Sequence, residues 1–287
     1  MWVIDAIISS FFAGITSILA KCGVKKTDAD VATALRTSIV LIYSWILVWM
    51  TGAVYEISEI DMQTLIFLVL SGLATGASWL CYFRALQLGD VNKVVPIDKS
   101  STLLTILFAF LFFNEVATWK KRIAIITIGA GTLLMIQKTK SKHQITKQKN
   151  SWLIYAVLST LFASATAILG KIGVSHIDSN LATAIRTTVV FVMAWMMVYI
   201  TSKQNKIQSI EKKELVYIIL SAFATGISWL CYYRALQKGI TSVVVSIDKL
   251  SILMTFIFSW TVLKESFSKK MFVGIIFILL GTLLLAL

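Results

Sequence analysis

Proline, cysteine, histidine and charged side chains are all scarce in this chain of 287 residues. It contains 1 proline, 3 cysteines and 2 histidines, and charged residues make up 14% of it against 57% hydrophobic residues. Soluble domains carry about 25% charged residues, so this composition excludes an ordinary soluble fold. The cysteines Cys22, Cys81 and Cys231 are odd in number and lie in or beside apolar runs. They predict small buried side chains rather than a disulfide framework.

Several chemical motifs are missing as well. His143 and His176 stand apart from each other, there is no His-Glu-x-x-His pattern, and no ligand cluster suits a metal. We therefore expect no metal, no cofactor and no enzymatic activity. No G-x-x-x-x-G-K-[ST] stretch is present, which argues against ATP hydrolysis as an energy source. The segment Met1-Trp-Val-Ile-Asp5 lacks the basic start of a cleavable signal peptide, and its apolar run returns at 152–172.

Long apolar runs are what the chain has in abundance, with a mean hydropathy of +0.83. Most of them reach the roughly 20 residues that a bilayer core requires. A segment in lipid must satisfy its own backbone hydrogen bonds, so the prediction is an all-α integral membrane protein. Only Pro96 could kink a span, which disfavours broken helices. The runs lie at about 2–20, 32–52, 64–86, 94–113, 121–137, 152–170, 182–201, 215–236, 243–263 and 270–287.

The chain is also a tandem duplication. Residues 71–87 (SGLATGASWLCYFRALQ) return 150 positions later as residues 221–237 (SAFATGISWLCYYRALQ). This divides the chain into a first repeat at 1–137, a linker at 138–150 and a second repeat at 151–287. Each repeat holds five apolar runs, an odd number, so the two copies must enter the membrane in opposite orientations. The prediction is ten transmembrane helices in two inverted-topology repeats.

Charge predicts the orientation. The linker 138–150 is basic, which places it in the cytoplasm, together with the loops near 21–30 and 202–214. The loop with Glu56, Glu59 and Asp61 then lies outside, as do both termini. The cluster 120–122 opposes this assignment. The net charge of +13 is spread over short loops, so we expect contact with the lipid bilayer of the plasma membrane and not with nucleic acid.

Short motifs recur in both copies: Lys21, Arg36, 82–87 (YFRALQ), Pro96 and Asn114-Glu115 in the first copy, and Lys171, Arg186, 232–237 (YYRALQ) and Lys264-Glu265 in the second. These motifs resemble the EamA branch of the drug/metabolite transporter superfamily. This resemblance implies ten helices around a central cavity, lined largely by the first, third and fourth helices of each copy. It also implies export or import of amino acids, drugs, nucleotide sugars or other metabolites. Ser246 stands at the repeat mate of Pro96, which departs from a symmetric proline hinge.

Ionisable residues inside the apolar runs are candidates for coupling or substrate charge. Asp98 and Asp248 lie early in the fourth and ninth runs, and each precedes a lysine, Lys99 or Lys249. Such groups are costly at depth in a membrane, which favours a proton- or substrate-coupled carboxylate with the lysines as counter-charges. The alternative is a set of helix-end residues near the interface, with the lysines reaching toward water.

Two further cations recur in each copy. Lys21 and Lys171 end the first span, and Arg36 and Arg186 open the second. Lys21 and Lys171 are candidate charge contacts. For the arginines we favour loop-end cations that set topology and hydrogen-bond the last carbonyls of a helix.

A stripe of aromatic and hydroxyl side chains marks the third span of each copy. Its members are spaced four and three apart, so they share one helix face. This pattern predicts a cavity wall that stacks on a substrate, and helix packing is the alternative. The residues are Thr75, Trp79 and Tyr82 in the first copy and Thr225, Trp229 and Tyr232 in the second.

These observations together favour a secondary active transporter of a small metabolite, such as an amino acid or an organic cation, working by alternating access. Proton or ion coupling is part of this prediction. A lipid-linked-sugar flippase or a passive channel is the alternative, and an intramembrane enzyme using Asp98 and Asp248 is the least favoured. Because the duplication supplies an internal pseudo-dimer, we expect a monomer.

Overall fold

The computed structural model describes residues 1–23, 27–88, 97, 100–113, 118–135, 151–175, 177–251, 253, 257 and 269–286. In this part of the chain all regular structure is helical, which confirms the all-α prediction. The helices are α1 (Trp2–Gly23), α2 (Ala29–Met50), α3 (Met62–Leu88), α4 (Ser101–Phe112), α5 (Trp119–Met135), α6 (Ser151–Val174), α7 (Ser179–Ile200), α8 (Lys212–Lys238), α9 (Thr241–Asp248) and α10 (Lys269–Ala286). Short 3-10 helices at Ala53–Glu59 and Gln204–Ser209 follow α2 and α7.

Six of these helices are long and apolar enough to cross a membrane: Trp2–Ala20, Ala29–Met50, Met62–Tyr82, Trp152–Val174, Ser179–Ile200 and Lys212–Lys238. The described parts of α4 and α10 are apolar but shorter. The segment 138–150, which the sequence predicts to be a linker, lies outside the described residues.

The side chains of α2 show why these helices belong in lipid. Its inward face carries the small residues Ala34, Thr37 and Ser44, while Ile42 and Trp49 are exposed. In water this distribution would leave a large apolar surface unburied. In a bilayer it is favourable, because large apolar side chains face the acyl chains and small ones allow helices to approach closely.

The helices group into two compact units. The first unit comprises 1–73, 169–239 and 247–265, and the second comprises 74–168, 240–246 and 266–287. Each unit draws residues from both sequence repeats. The repeat defined by sequence is therefore not the unit of packing.

In the first unit, α1 packs along α8, the third long helix of the other repeat. The two helices are antiparallel, because Gly23 at the end of α1 lies against Ile218 near the start of α8, and Trp2 lies against Gly239. Midway, the buried Ser228 hydroxyl donates to the Ser9 carbonyl at 3.0 Å. A buried hydroxyl bond of this kind is one of the few polar attractions available between helices in lipid.

The contact between α2 and α7 in the first unit is reciprocal. Trp45 Nε1 donates to Thr188 Oγ1 at 3.2 Å, and Trp195 Nε1 donates to Ser38 Oγ at 3.0 Å. Residues 45 and 195 are repeat mates, as are 38 and 188. An exchange of equivalent contacts is the signature of a twofold interface, here within one chain.

The second unit contains a contact of the same type between α5 and α10. A Cβ atom at Gly131 would lie 2.6 Å from the Gly274 carbonyl oxygen, and one at its repeat mate Gly281 would lie 2.9 Å from the Ala124 carbonyl oxygen. Glycine at both positions is what allows these backbones to touch. In the same unit Ser78 donates to the Ser159 carbonyl at 3.2 Å, which joins α3 to α6.

Candidate functional site

Arg36 lies inside the first unit, on the face of α2 that meets α8. Its Nη2 donates a 2.8 Å hydrogen bond to Thr225 Oγ1. Its Nε is buried and has no hydrogen-bond partner among the described residues. Arg36 stands eight residues after the helix-capping Asp28, which is about 12 Å along a helix at 1.5 Å per residue. Arg36 is therefore about two turns inside α2 and not at its end, so our interpretation of Arg36 as a loop-end cation is wrong.

Arg186, the repeat mate of Arg36, is also inside the first unit and is only 3% exposed. Its Nε donates to Ser71 Oγ at 2.9 Å. Its guanidinium carbon lies 4.5 Å from the ring centre of Tyr233 and 5.4 Å from that of Trp229. Cation–π contacts of this kind stabilise a desolvated guanidinium. The loop-end interpretation is wrong for this residue too.

One face of α8 brings these contacts together. Thr225, Trp229 and Tyr233 are four residues apart, so they stack along one side of the helix. Arg36 contacts the first of them and Arg186 the other two. This region of the first unit can hold an anion by its guanidinium groups and an apolar or aromatic group by its indole.

The sequence stripe singled out Tyr232 in place of Tyr233. In the structure Tyr232 is half-buried and its ring meets the Tyr233 ring edge-on, with ring centres 5.3 Å apart. Tyr233 went unnoticed because its repeat mate is Phe83, so the position does not recur as tyrosine. Its spacing of four residues from Trp229 was the signal that could have identified it.

The first-copy stripe lies in the second unit. Thr75 Oγ1 is 3.3 Å from Thr166 Oγ1, and Trp79 is half-buried. Tyr82 packs against the buried pair Ala85 and Ala156. A role of Thr75, Trp79 and Tyr82 in substrate binding remains a prediction.

The other charged candidates are placed differently. Asp248 is the last residue of α9 and belongs to the first unit. Asp248 and Lys249 are both half-buried. Asp98 and Lys99 lie outside the described residues, as do Pro96, Asn114-Glu115, Lys264-Glu265 and His143. The side chain of Lys21 is likewise not described. Coupling by Asp98 and Asp248 remains a prediction.

Lys171 and Gln237 cap helix ends. Lys171 Nζ donates to the carbonyls of Leu236, Gln237 and Gly239, at the end of α8. Gln237 Nε2 donates in return to the carbonyls of Val174 and Ile177, at the end of α6, at 2.8 and 2.7 Å. The last carbonyls of a helix have no partner within it, so each side chain satisfies its neighbour helix. This contact gives a structural reason for a lysine and a glutamine in the two motifs.

The first unit also contains a charged cluster where α2 begins and α7 ends. Lys206 Nζ lies 2.9 Å from Asp28 Oδ2, and Lys203 pairs with both Asp28 and Asp30. Burial favours a higher pKa for Asp28, but the hydrogen bonds from Lys206 and Lys203 outweigh it and lower the pKa. Nearby, the buried Glu214 accepts from the backbone N–H of Thr27 at 2.9 Å.

These features define a multi-pass membrane protein that buries charged and polar side chains between its helices. A comparison with family models identifies the group: the chain belongs to the EamA-like transporter family, whose model matches residues 1–137 and again residues 150–287. The resemblance drawn from the motifs is thereby confirmed.

Similar proteins agree with this assignment. The chain is 43% identical over 134 residues, 47% of its length, to 95% of an uncharacterized transporter in the cobO 3′ region of Sinorhizobium sp. It is 20% identical over 203 residues, 70% of its length, to 64% of the uncharacterized transporter YxxF of Bacillus subtilis (strain 168). One crystal structure of a protein with 13% identity aligns at a TM-score of 0.77, covering 97% of this chain and 94% of the other. The last likeness concerns the fold alone.

Proposed function

We propose that this protein is a secondary active transporter that moves a small metabolite across the plasma membrane by alternating access. The observation that carries the proposal is the α8 face with Thr225, Trp229 and Tyr233, which two arginines contact within the span. Ionisable groups inside membrane helices are expensive and mark substrate or ion pathways. In a helix bundle without a transport role, apolar residues at positions 36 and 186 would be more stable than arginines.

The antiparallel contacts support an arrangement of ten helices in two inverted repeats. α1 runs against α8, and α2 and α7 exchange equivalent tryptophan hydrogen bonds. Inverted repeats place a substrate site near the middle of the bilayer and allow the site to open to either side by similar movements. In this proposal the basic linker is cytoplasmic and both termini are outside.

Flux through the purified protein in proteoliposomes tests the transporter directly. Candidate substrates are first selected by a thermal-shift screen of a metabolite library, because a bound ligand raises apparent stability by mass action. We expect uptake that saturates with substrate concentration. Flux that rises linearly without saturation would instead indicate a channel, and movement of a lipid-linked sugar alone would indicate a flippase.

Coupling is tested by the pH dependence of the same flux. In the proposal Asp98 and Asp248 carry the coupling proton, so Asp98→Asn and Asp248→Asn should each flatten the pH response of transport. An unchanged pH response in both variants would exclude this role and leave the transporter proposal intact. Accessibility of tags at both termini tests the orientation, and two cytoplasmic termini would overturn it.

A further inference from the structure

Arg36 and Arg186 are repeat mates that have different neighbours in the first unit. Arg186 is 3% exposed, donates to Ser71 and lies over the rings of Tyr233 and Trp229. Arg36 donates to Thr225 and keeps a buried Nε without a hydrogen-bond partner among the described residues. Arg186 therefore lies against a hydroxyl and two rings, and Arg36 has a buried donor that can bind another ligand.

An arginine has five N–H donors, and a buried donor without a partner is destabilising. Burying the charge as well makes a visiting acceptor more favourable. The unused Nε and the neighbouring Nη2 lie on one edge of the guanidinium plane. Nη2 carries two N–H groups and uses one for Thr225, so the other can join Nε in donating to two oxygens of a planar acid, as in arginine–carboxylate pairs.

Thr225 holds that edge in place. Its hydroxyl donates to the Ser221 carbonyl at 2.7 Å, so its oxygen accepts the 2.8 Å hydrogen bond from Arg36. One turn further along α8, the half-buried Trp229 offers an indole to whatever adjoins the anion. The guanidinium brings one positive charge, which matches a carboxylate. A phosphate group carries about −1.5 to −2 at neutral pH and would keep an excess negative charge.

We propose that Arg36 binds the substrate's own anionic group, and that the transported molecule carries a carboxylate beside an apolar or aromatic body that packs on Trp229. The proposal rests on the transporter function above and narrows its substrate class. It assigns Thr225 as a positioning residue for Arg36.

Four probes with a shared phenyl body and different head groups test this proposal: phenylacetate, phenylalanine, phenethylamine and phenyl phosphate. Binding to the full-length protein in detergent is followed by thermal shift and by tryptophan fluorescence. We expect phenylacetate and phenylalanine to bind and phenethylamine and phenyl phosphate to bind much more weakly. Arg36→Gln should weaken carboxylate binding about 10- to 100-fold, the range for a hydrogen bond to a charged group.

Further variants separate ligand contact from structure. Arg36→Lys keeps the charge but loses the planar edge, so it should restore only part of the affinity. Thr225→Val should also weaken carboxylate binding while leaving the head-group order unchanged. Each variant must elute as the parent does and melt normally without ligand. The control variant Lys213→Met, at an exposed lysine outside the site, should leave both the melting temperature and the head-group preference as they were.

The outcomes distinguish this inference from the transporter proposal. Preference for phenethylamine, binding of none of the four probes, or equal head-group preference in the parent and Arg36→Gln overturns the carboxylate assignment. Saturable flux of a cationic or neutral library compound would then leave the transporter proposal standing. If Arg36→Gln changes only the pH response of flux, Arg36 serves as a counter-charge within the protein and the inference is wrong.

Discussion

Asp28 Oδ2 accepts a 2.9 Å hydrogen bond from Lys206 Nζ, across the boundary between the two repeats. Their repeat mates, Asp178 and Glu56, also meet, because the backbone N–H of Asp178 donates to Glu56 Oε2 at 3.0 Å. The same pair of positions thus joins α2 and α7 at both ends. A cation at one end and an anion at the other give the two ends different charge.

The Asp28 carboxylate combines a helix cap with an ion pair, and two variants separate these roles. Asp28→Asn keeps an oxygen for the N–H of Asp30, so it should lose only the ion pair, about 1 kcal/mol or less. Asp28→Ala should lose about 1 kcal/mol more, because the cap is lost too. The readout is the apparent melting temperature in detergent. Asp178→Asn is the matched control, since Asp178 caps α7 and no lysine among the described residues pairs with its carboxylate. An equal loss in that variant would show that the ion pair contributes nothing.

The pH dependence of this cluster follows from two opposite shifts. Burial favours a lower pKa for Lys203, but hydrogen bonds to Asp30 and Asp28 outweigh it and raise the pKa above 10.5. The pKa of Asp28 is lowered below 3.8. The Lys203 contribution is complete below 10.5 and is lost as pH rises through the folded pKa, while the Asp28 contribution is complete above 3.8 and is lost as pH falls through its folded pKa.

We therefore expect the melting-temperature difference between the parent and Lys203→Met to stay constant in the middle of the pH range. It should shrink at both extremes, below the pKa of Asp28 and above that of Lys203. A melting series across the full range checks this. A difference that already falls near neutral pH would mean that other groups stabilise the cluster.

Ser202 adopts a left-handed backbone, with φ of 54°, where its repeat mate Gly52 has φ of 75°. Both residues follow the last turn of a helix, α2 or α7. A side chain in this conformation destabilises the fold by about 1 to 2 kcal/mol. Glycine avoids this strain but loses roughly 0.5 to 1 kcal/mol because its unfolded chain has more conformational entropy. Ser202→Gly should therefore stabilise the protein by about 0.5 kcal/mol, which should raise the apparent melting temperature by about one degree or more. Gly52→Ser is the mirror experiment and should lower it; shifts of the same sign in both would contradict the backbone argument.

Lys171 is both a predicted charge contact and an observed helix cap, and one variant distinguishes the two. Lys171→Met leaves the terminal carbonyls of α8 without their donor, so we expect a loss of about 1 to 3 kcal/mol. Thermal melting measures that loss, and Lys213→Met provides an exposed lysine for comparison. Normal melting together with abolished transport would instead identify Lys171 as a substrate or coupling contact.

Trp229 and Trp79 are predicted to stack on the substrate. Trp229→Ala and Trp79→Ala should each weaken apparent affinity by roughly 10-fold, because aromatic stacking is worth about 0.5–1.5 kcal/mol beyond the area it buries. Saturation curves in proteoliposomes give this affinity. Trp49→Ala removes an exposed tryptophan and should have no effect. Unchanged affinity in the first two variants would assign them to helix packing.

The candidate site was only partly visible in the sequence. Thr225 and Trp229 were found because helical spacing and repetition mark one face of α8. Tyr233 was missed because its mate is phenylalanine, and Arg36 was misplaced because a cation near the start of a span looks like a loop residue. The depth of Arg36 depends on where α2 begins, at the Asp28 cap. Its contact depends on Thr225, which is 189 residues away in the chain.

The sequence by itself determined the all-helical class, the membrane character and the duplication, because these depend on local composition and on similarity between segments. Only the tertiary structure decided that α1 packs on α8 and that α2 and α7 exchange tryptophan hydrogen bonds. It also decided that Arg186 lies over the rings of Trp229 and Tyr233 and that Arg36 donates to Thr225. Repeat mates look equivalent in the sequence, but contacts between distant segments give each one its own surroundings.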